Sequence, residues 1–151
     1  MIRGFFITAG LVVAALPAYG ATPSDAVRFF YNPAHSETDP ELRDRFAGPA
    51  LEKLEANQAV ADDGELGCID FALAYDAQDL DDAEVARTLA IEETVTGDTA
   101  TVTASFTLFP DEPESAREIK WSLQKVGTDW KITDIASEQN EWRLSAFDCA
   151  P

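Results

Sequence analysis

The densest group of residues that could hold a metal ion is a run of aspartates in the middle of the chain, Asp76, Asp79, Asp81 and Asp82. Hard cations such as calcium are bound by oxygen ligands of this kind. A calcium loop, however, adds a turn glycine and a bidentate glutamate at fixed spacing, and this run has neither. The sequence therefore favours an acidic, solvated loop, and it predicts no metal and no cofactor.

His35, the single histidine, is the next candidate for catalytic chemistry. A catalytic triad would need it beside a serine or cysteine and an orienting acid, and a zinc site would need more nitrogen or sulfur ligands than this chain brings together. Pro33 and Ala34 place the histidine in a predicted loop. An ordinary surface histidine is expected there, and no residue is assigned as catalytic.

The two cysteines, Cys68 and Cys149, allow two interpretations. In an oxidising compartment an even pair indicates a disulfide, which here closes a loop of about eighty residues and contributes up to about 4.5 kcal/mol in the chain-entropy model. The competing interpretation makes Cys68 a nucleophile with His35 as its base. It is disfavoured because the second cysteine would tend to oxidise the first, so we predict a disulfide that ties the C-terminal tail to the middle of the chain.

Residues 1–20 have the features of a secretory signal peptide. A basic residue starts the segment, an apolar run follows at 5–16, and the small residues Ala18 and Gly20 suit signal peptidase, which predicts cleavage after Gly20. The apolar run is too short to span a membrane, and no cysteine follows it where lipid attachment would need one. We therefore predict a periplasmic or secreted protein without membrane insertion after cleavage, in which residues 21–151 form a single α+β domain.

The chain is strongly acidic, with 28 acidic residues against 11 basic ones and a net charge of −17 at pH 7. Such a surface repels phosphate backbones and anionic lipid head groups, whose protein partners use lysine and arginine. Nucleic acid and membrane-surface binding are therefore disfavoured. A basic protein partner is compatible with the charge, although solubility explains it more simply.

Cap signals that contain proline predict three helices in the first third of the chain. A threonine before Pro23 predicts a helix that begins at that proline and ends at residues 32–33. Similar signals predict a short helix near 40–46 and a longer one near 49–60. Residues 65–84 are predicted to be mostly loop.

From Glu84 onward the apolar residues alternate with polar ones. They are Val85, Leu89, Ile91 and Val95 and then, after a Gly97-Asp98 turn, Val102, Ala104, Phe106 and Leu108. This pattern predicts a long antiparallel hairpin. Alternation resumes at Ile119, and a turn at Gly127 leads into Trp130, which predicts a second hairpin. The tail, residues 137–147, is predicted to form a helical turn or two that carries Trp142.

Helices followed by four strands indicate an α+β fold, in which N-terminal helices pack on a curved antiparallel sheet of about four strands. The chain also resembles the bacterial family called domain of unknown function 3828. The matching segments are Phe29-Phe30-Tyr31, Ile69-Asp70 through Gln78-Asp79, the Gly97-Asp98 turn, and Trp130 to Ile135. The resemblance covers roughly residues 24–136. It implies an exported protein with the cone-shaped fold of nuclear transport factor 2 and ketosteroid isomerase, and the family has no established activity.

The resemblance also implies where a site would lie. A cone of sheet closed by helices has an apolar interior, and ketosteroid isomerase-like enzymes place an Asp base and a Tyr donor inside it. Candidate ligand-binding residues are therefore Tyr31, Asp70, Tyr75 and Asp79. Core packing also explains the tyrosines, helix capping or loop bracing explains the acids, and 9 Phe with 3 Trp are enough to fill the cone.

We predict an exported, non-enzymatic periplasmic protein that binds a protein partner or a small apolar ligand in the cone. The alternative is a small-molecule isomerase or hydrolase that uses a cone-buried Asp.

Overall fold

The computed structural model describes residues 22–149 of the 151-residue chain. The predicted signal peptide and its cleavage site after Gly20 lie outside these residues. Among the helices of the described part, none combines the length and the apolar character that crossing a membrane requires.

The first helix, α1 (Pro23–Arg28), begins where the sequence predicts. The Thr22 side-chain oxygen accepts a hydrogen bond from the Asp25 backbone N–H at 3.1 Å. Pro23 occupies the first helical position, where a missing N–H costs nothing. A 3-10 turn, Phe29–Tyr31, continues the helix, and the prediction for this part of the chain is confirmed.

Two helical stretches follow, a 3-10 helix at Pro40–Arg45 and helix α2 at Gly48–Asp62. The Asp39 carboxylate caps the first by accepting the Glu41 backbone N–H at 2.9 Å. Both stretches lie where the sequence predicts them, except that α2 continues to Asp62.

A third helix, α3 (Asp82–Thr88), occupies a stretch for which the sequence predicts the start of a strand at Glu84, so that prediction is wrong. The Asp81 carboxylate accepts the backbone N–H of Glu84 at 2.9 Å and caps the helix. Val85 and Leu89 lie four positions apart, a spacing that fits one face of a helix as well as one face of a strand. The Asp81 cap favours the helix over the strand.

One antiparallel sheet follows, with its strands in the order β1-β2-β3-β4-β5. The strands are β1 (Ala90–Thr96), β2 (Thr99–Thr107), β3 (Ala116–Val126), β4 (Asp129–Ser137) and β5 (Trp142–Arg143). The two predicted hairpins, β1–β2 and β3–β4, are confirmed. Each turn contains a glycine in the left-handed region, with φ 60° at Gly97 and 64° at Gly127, which glycine adopts at no steric cost.

The sheet has five strands rather than the predicted four, because β5 pairs with the end of β4. Trp142 therefore lies in a strand, and within residues 137–147 the chain is helical at a 3-10 turn, Leu144–Ala146. Asp134 explains the position of the tail, since its Oδ2 accepts hydrogen bonds from Arg143 Nη1 and Ser145 Oγ, both at 2.8 Å.

Apolar side chains fill the space between the helices and the inner face of the sheet. The largest fully buried ones are Trp121, Phe30, Leu54, Leu73, Ile119, Leu123, Ile132, Ile135 and Leu144. The rings of Phe30 and Trp121 stack with their centroids 5.8 Å apart. The β3–β4 register shifts between Ser122 and Leu123, and this irregularity lets Ile132 and Ile135 both face the core although they are three residues apart.

Candidate functional site

Residues 63–81 connect α2 to α3 without a helix or a strand, so the prediction of a loop over 65–84 is confirmed as far as Asp81. Connections of this length without secondary structure are uncommon in compact domains, and ordered ones usually have a function. We call residues 63–81 the clamped segment, because contacts from distant parts of the chain fix it along its length. It contains Asp70, Tyr75 and Asp79, three of the four candidate ligand-binding residues.

The predicted disulfide between Cys68 and Cys149 is present and fixes the first part of the clamped segment. The two Cα atoms lie 5.1 Å apart, within the usual range for a disulfide. Because the Cys68 sulfur is in this bond, the interpretation of Cys68 as a nucleophile is wrong. His35, its supposed base, instead stacks on Phe29 with the ring centroids 3.7 Å apart.

Asn57, on helix α2, fixes the backbone of Ile69, the residue that follows the disulfide-bonded Cys68. It is buried, and its Oδ1 accepts the Ile69 backbone N–H at 3.0 Å. Gly67 passes so close that a Cβ atom there would lie 2.3 Å from the same oxygen. A side chain at position 67 would therefore have to displace the buried Asn57 amide, so the segment is seated tightly against α2.

A buried glutamate, Glu37, holds the middle of the clamped segment. It is 2% exposed, and its Oε1 accepts the Ala74 backbone N–H at 2.7 Å. Burial raises the pKa of Glu37 to about 7 because it disfavours the charged form, although backbone hydrogen bonds from Glu37 and Ala74 act in the opposite direction. Glu37 is thus a buried carboxyl beside the clamped segment, whereas Asp70 is exposed. Glu37 lies in a polar stretch between Ser36 and Thr38, and no sequence pattern marks it as buried.

The two candidate tyrosines pack against each other near Glu37. The rings of Tyr31 and Tyr75 meet edge to face with centroids 5.5 Å apart, and Trp121 Nε1 donates a hydrogen bond to Tyr31 Oη at 3.3 Å. Burial raises the pKa of Tyr31 well above its ordinary value and that of Tyr75 to about 12, and the charge of Glu37 adds to both shifts. Both hydroxyls therefore keep their protons at neutral pH, and the pair acts as part of the aromatic core.

The aspartates at the end of the clamped segment accept hydrogen bonds from the chain itself. Asp76 has left-handed backbone, with φ 52°, and its carboxylate accepts bonds from Trp142 Nε1 at 2.6 Å and from the Asn140 side-chain amide. Asp79 accepts the next backbone N–H at 3.0 Å, and Asp81 caps α3. Within the described part of the chain, no group of three or more His, Cys, Asp or Glu side chains is arranged to hold a metal ion.

The clamped segment lines an open groove of ≈ 610 Å³ together with Ser36 and Thr38. Its residues in the groove include Ile69, Asp70, Phe71, Ala72, Gln78 and Leu80. Gln78 Nε2 donates a hydrogen bond to the Asp70 carbonyl at 3.2 Å and joins the two ends of this lining. The groove thus combines partly buried apolar side chains with the exposed carboxylate of Asp70 and the hydroxyl side chains of Ser36 and Thr38.

The structure divides the four candidate ligand-binding residues into two pairs. Tyr31 and Tyr75 belong to the core packing, whereas Asp70 and Asp79 are exposed on the clamped segment. The acid that lies near the tyrosines is Glu37, which the sequence does not single out.

No family model matches the chain, and a search of curated proteins found no match. The resemblance to domain of unknown function 3828 therefore stays a prediction. Among solved structures, the chain is similar to a chain in the crystal structure of the type VI native effector-immunity complex Tae3-Tai3 from Ralstonia pickettii. The TM-score is 0.51 at 21% sequence identity, and the match covers 78% of this chain and 94% of that chain. At this identity the likeness shows a shared fold.

Proposed function

We propose that this chain is an exported protein that binds a protein partner through the clamped segment and its groove, and that it acts by binding rather than by catalysis. The observation that carries the proposal is the clamped segment itself. A disulfide, the buried Asn57 and the buried Glu37 hold this long irregular connection, yet Asp70 and Asp79 remain exposed on it. Binding through a surface that is already ordered loses less conformational entropy than binding through a flexible loop.

The solved neighbour supports a protein as the partner. That neighbour belongs to a complex of an effector with its immunity protein, so this architecture occurs in a protein–protein assembly. A shared fold alone does not transfer a function, and the proposal for this chain rests on the clamped segment in addition.

The charge of the chain indicates the chemistry of the partner. A net charge of −17 attracts a basic protein over distances of about a Debye length and raises the rate of encounter. Asp70 at the groove and Asp79 near its edge place part of that charge on the proposed surface. We therefore propose a basic partner.

The alternative of a small ligand or substrate inside the curl of the sheet has weaker support. Trp121 and Phe30 are among the side chains that occupy the interior. An isomerase or hydrolase would need an acid that a substrate can reach, and the buried acid beside the two tyrosines, Glu37, is 2% exposed with its Oε1 already accepting the Ala74 N–H. A substrate would have to displace the chain around Glu37 before any proton transfer.

Charge reversal tests the proposed surface against another acidic region of the same molecule. The test variant carries Asp70→Lys and Asp79→Lys, and the matched control carries Glu92→Lys and Asp98→Lys, which are exposed on β1 and its turn. Both variants change the net charge equally. Envelope extract from the organism that makes the protein is passed over immobilised wild type and both variants at low and high salt.

We expect wild type and the control to retain the same protein, and the segment variant to retain at least about tenfold less of it. High salt should weaken its capture by wild type and by the control. Equal retention by all three, or a loss in the control as large as that in the segment variant, would contradict the proposal. Circular dichroism confirms that each variant is folded.

A further inference from the structure

Leu66 is the most exposed of the large apolar side chains that the structure describes. It is 96% exposed, compared with 47% for Val95 and 49% for Val126. One exposed leucine is common on a protein surface and by itself indicates nothing. The backbone that carries Leu66 and the charges around it are what distinguish this residue.

The backbone is fixed on both sides of Leu66. On one side Gly64, with φ 84°, lies just beyond the end of helix α2, and the Glu65 N–H donates a hydrogen bond to the Val60 carbonyl at 3.3 Å. On the other side Cys68 is held by the disulfide. The chain therefore presents an apolar side chain to solvent from a short, fixed arch at the start of the clamped segment.

The residues around this arch are acidic. Asp62, Asp63 and Glu65 are all exposed within four positions of Leu66, and no basic residue lies between Glu55 and Cys68. A surface that receives Leu66 must therefore tolerate these carboxylates at its edge, which favours lysine and arginine there.

We propose that Leu66 is an anchor that inserts into an apolar pocket of a protein partner, and that a rim of basic residues around that pocket faces Asp62, Asp63 and Glu65. This inference rests on the proposed function, since it names the contact by which the clamped segment binds its partner. Burial of one fully exposed leucine in a preformed pocket accounts for about a tenfold to hundredfold gain in affinity. The fixed backbone lets the contact form with little loss of conformational entropy.

The test begins with site-specific photo-crosslinking in the full-length protein made in its own host. The photoreactive amino acid p-benzoylphenylalanine replaces Leu66 in one variant, Phe71 in a second and Val126 in a third. Val126 is the matched control, since it is an exposed apolar residue at the end of β3, remote in sequence from the clamped segment. Mass spectrometry identifies each adduct and the peptide of the partner that carries it.

The purified partner is then titrated with wild type, Leu66→Ala and Val126→Ala. We expect the position-66 adduct to lie among apolar residues of the partner with Lys or Arg nearby, Leu66→Ala to weaken binding at least about tenfold, and Val126→Ala to change it less than about twofold. Both side chains are exposed, so neither variant should change the thermal unfolding midpoint appreciably.

The outcomes separate this inference from the proposed function. If position 71 gives a partner adduct and Leu66→Ala binds that partner as tightly as wild type, the anchor is refuted and the proposed function stands. If neither position 66 nor position 71 gives an adduct with any protein, both are refuted.

Discussion

The four long strands and the clamped segment are both ordered, but they are held in different ways. In β1–β4 each strand is hydrogen-bonded to its neighbours through a backbone ladder, interrupted only by the register shift between β3 and β4. Residues 63–81 are held by separate contacts from distant parts of the chain, namely Glu37, Asn57, Trp142 and Cys149. The backbone ladder of the sheet survives the loss of one side chain, whereas the order of the clamped segment depends on each of its contacts. We therefore regard the sheet as the scaffold and the clamped segment as the proposed binding surface.

Removal of the disulfide should cause the largest difference in local stability between the clamped segment and the sheet. Cys68→Ala combined with Cys149→Ala should lower the free energy of unfolding by up to about 4.5 kcal/mol, because the open chain regains the entropy of a loop of about eighty residues. Urea unfolding measures this loss. In the folded variant the amide of Ala74 should exchange with solvent much faster than in wild type, while the amide of Val102 in β2 follows the global stability. Equal acceleration at both amides would contradict the distinction between segment and sheet.

The pH dependence of stability should show the contribution of Glu37. Its pKa is about 7 in the folded protein against 4.5 as the ordinary value, so the folded state holds a proton that the unfolded chain has already lost between these pH values. The contribution of Glu37 to stability therefore falls as the pH rises from 4.5 to 7, by about 3 kcal/mol. The neighbouring Tyr31 and Tyr75 keep their protons throughout this range and do not contribute to the slope.

The variant Glu37→Gln retains an oxygen acceptor for the Ala74 N–H but cannot ionise. We expect it to be more stable than wild type at pH 8, by up to about 3 kcal/mol, and similar to wild type near pH 4.5. The control Glu55→Gln, at an exposed position on α2, should change stability by less than about 0.5 kcal/mol at either pH. Chemical unfolding at the two pH values measures both. A Glu37→Gln variant that is less stable than wild type at pH 8 would show that the carboxylate is stabilising when ionised.

Of the three changes, removal of the disulfide, Glu37→Gln and Asn57→Ala, the last should have the smallest and most local effect on stability. The Ile69 N–H loses its buried acceptor, which costs about 1–3 kcal/mol. The neighbouring Gln58 is the control, since its Nε2 donates a hydrogen bond to the exposed Asp62 and Gln58→Ala should cost less than about 0.5 kcal/mol. Hydrogen exchange at Ile69 should accelerate in the first variant only. Unchanged exchange there would mean that Asn57 is not one of the contacts that hold the segment.

The sheet is held by a regular ladder and the clamped segment by separate long-range contacts, and this difference explains which features the sequence could predict. Cap residues and alternation are local signals, so the start of α1 at Pro23 and both hairpins follow from the sequence. The start of α3 was ambiguous because Val85 and Leu89 fit two periods, and β5 depends on contacts of Asp134 with the distant tail. The disulfide was predictable because the chain has only two cysteines.

The candidate site was predictable only in part. Exposed Asp70 and Asp79 carry an acidic pattern that the sequence displays directly. Burial of Glu37 is set by the fold of residues 72–77 around its side chain, where the Ala74 N–H meets it, and that arrangement leaves no local signal. Contacts between residues far apart in sequence are therefore the part of the site that required the structure.

The most direct test of the account is a hydrogen-exchange footprint of the protein in complex with the partner captured by wild type. We predict that binding slows exchange at backbone amides within residues 63–81 and leaves the hairpin turns at 97–98 and 127–128 unchanged. Slower exchange at those turns, with no change across residues 63–81, would contradict the claim that the clamped segment is the surface that binds the partner.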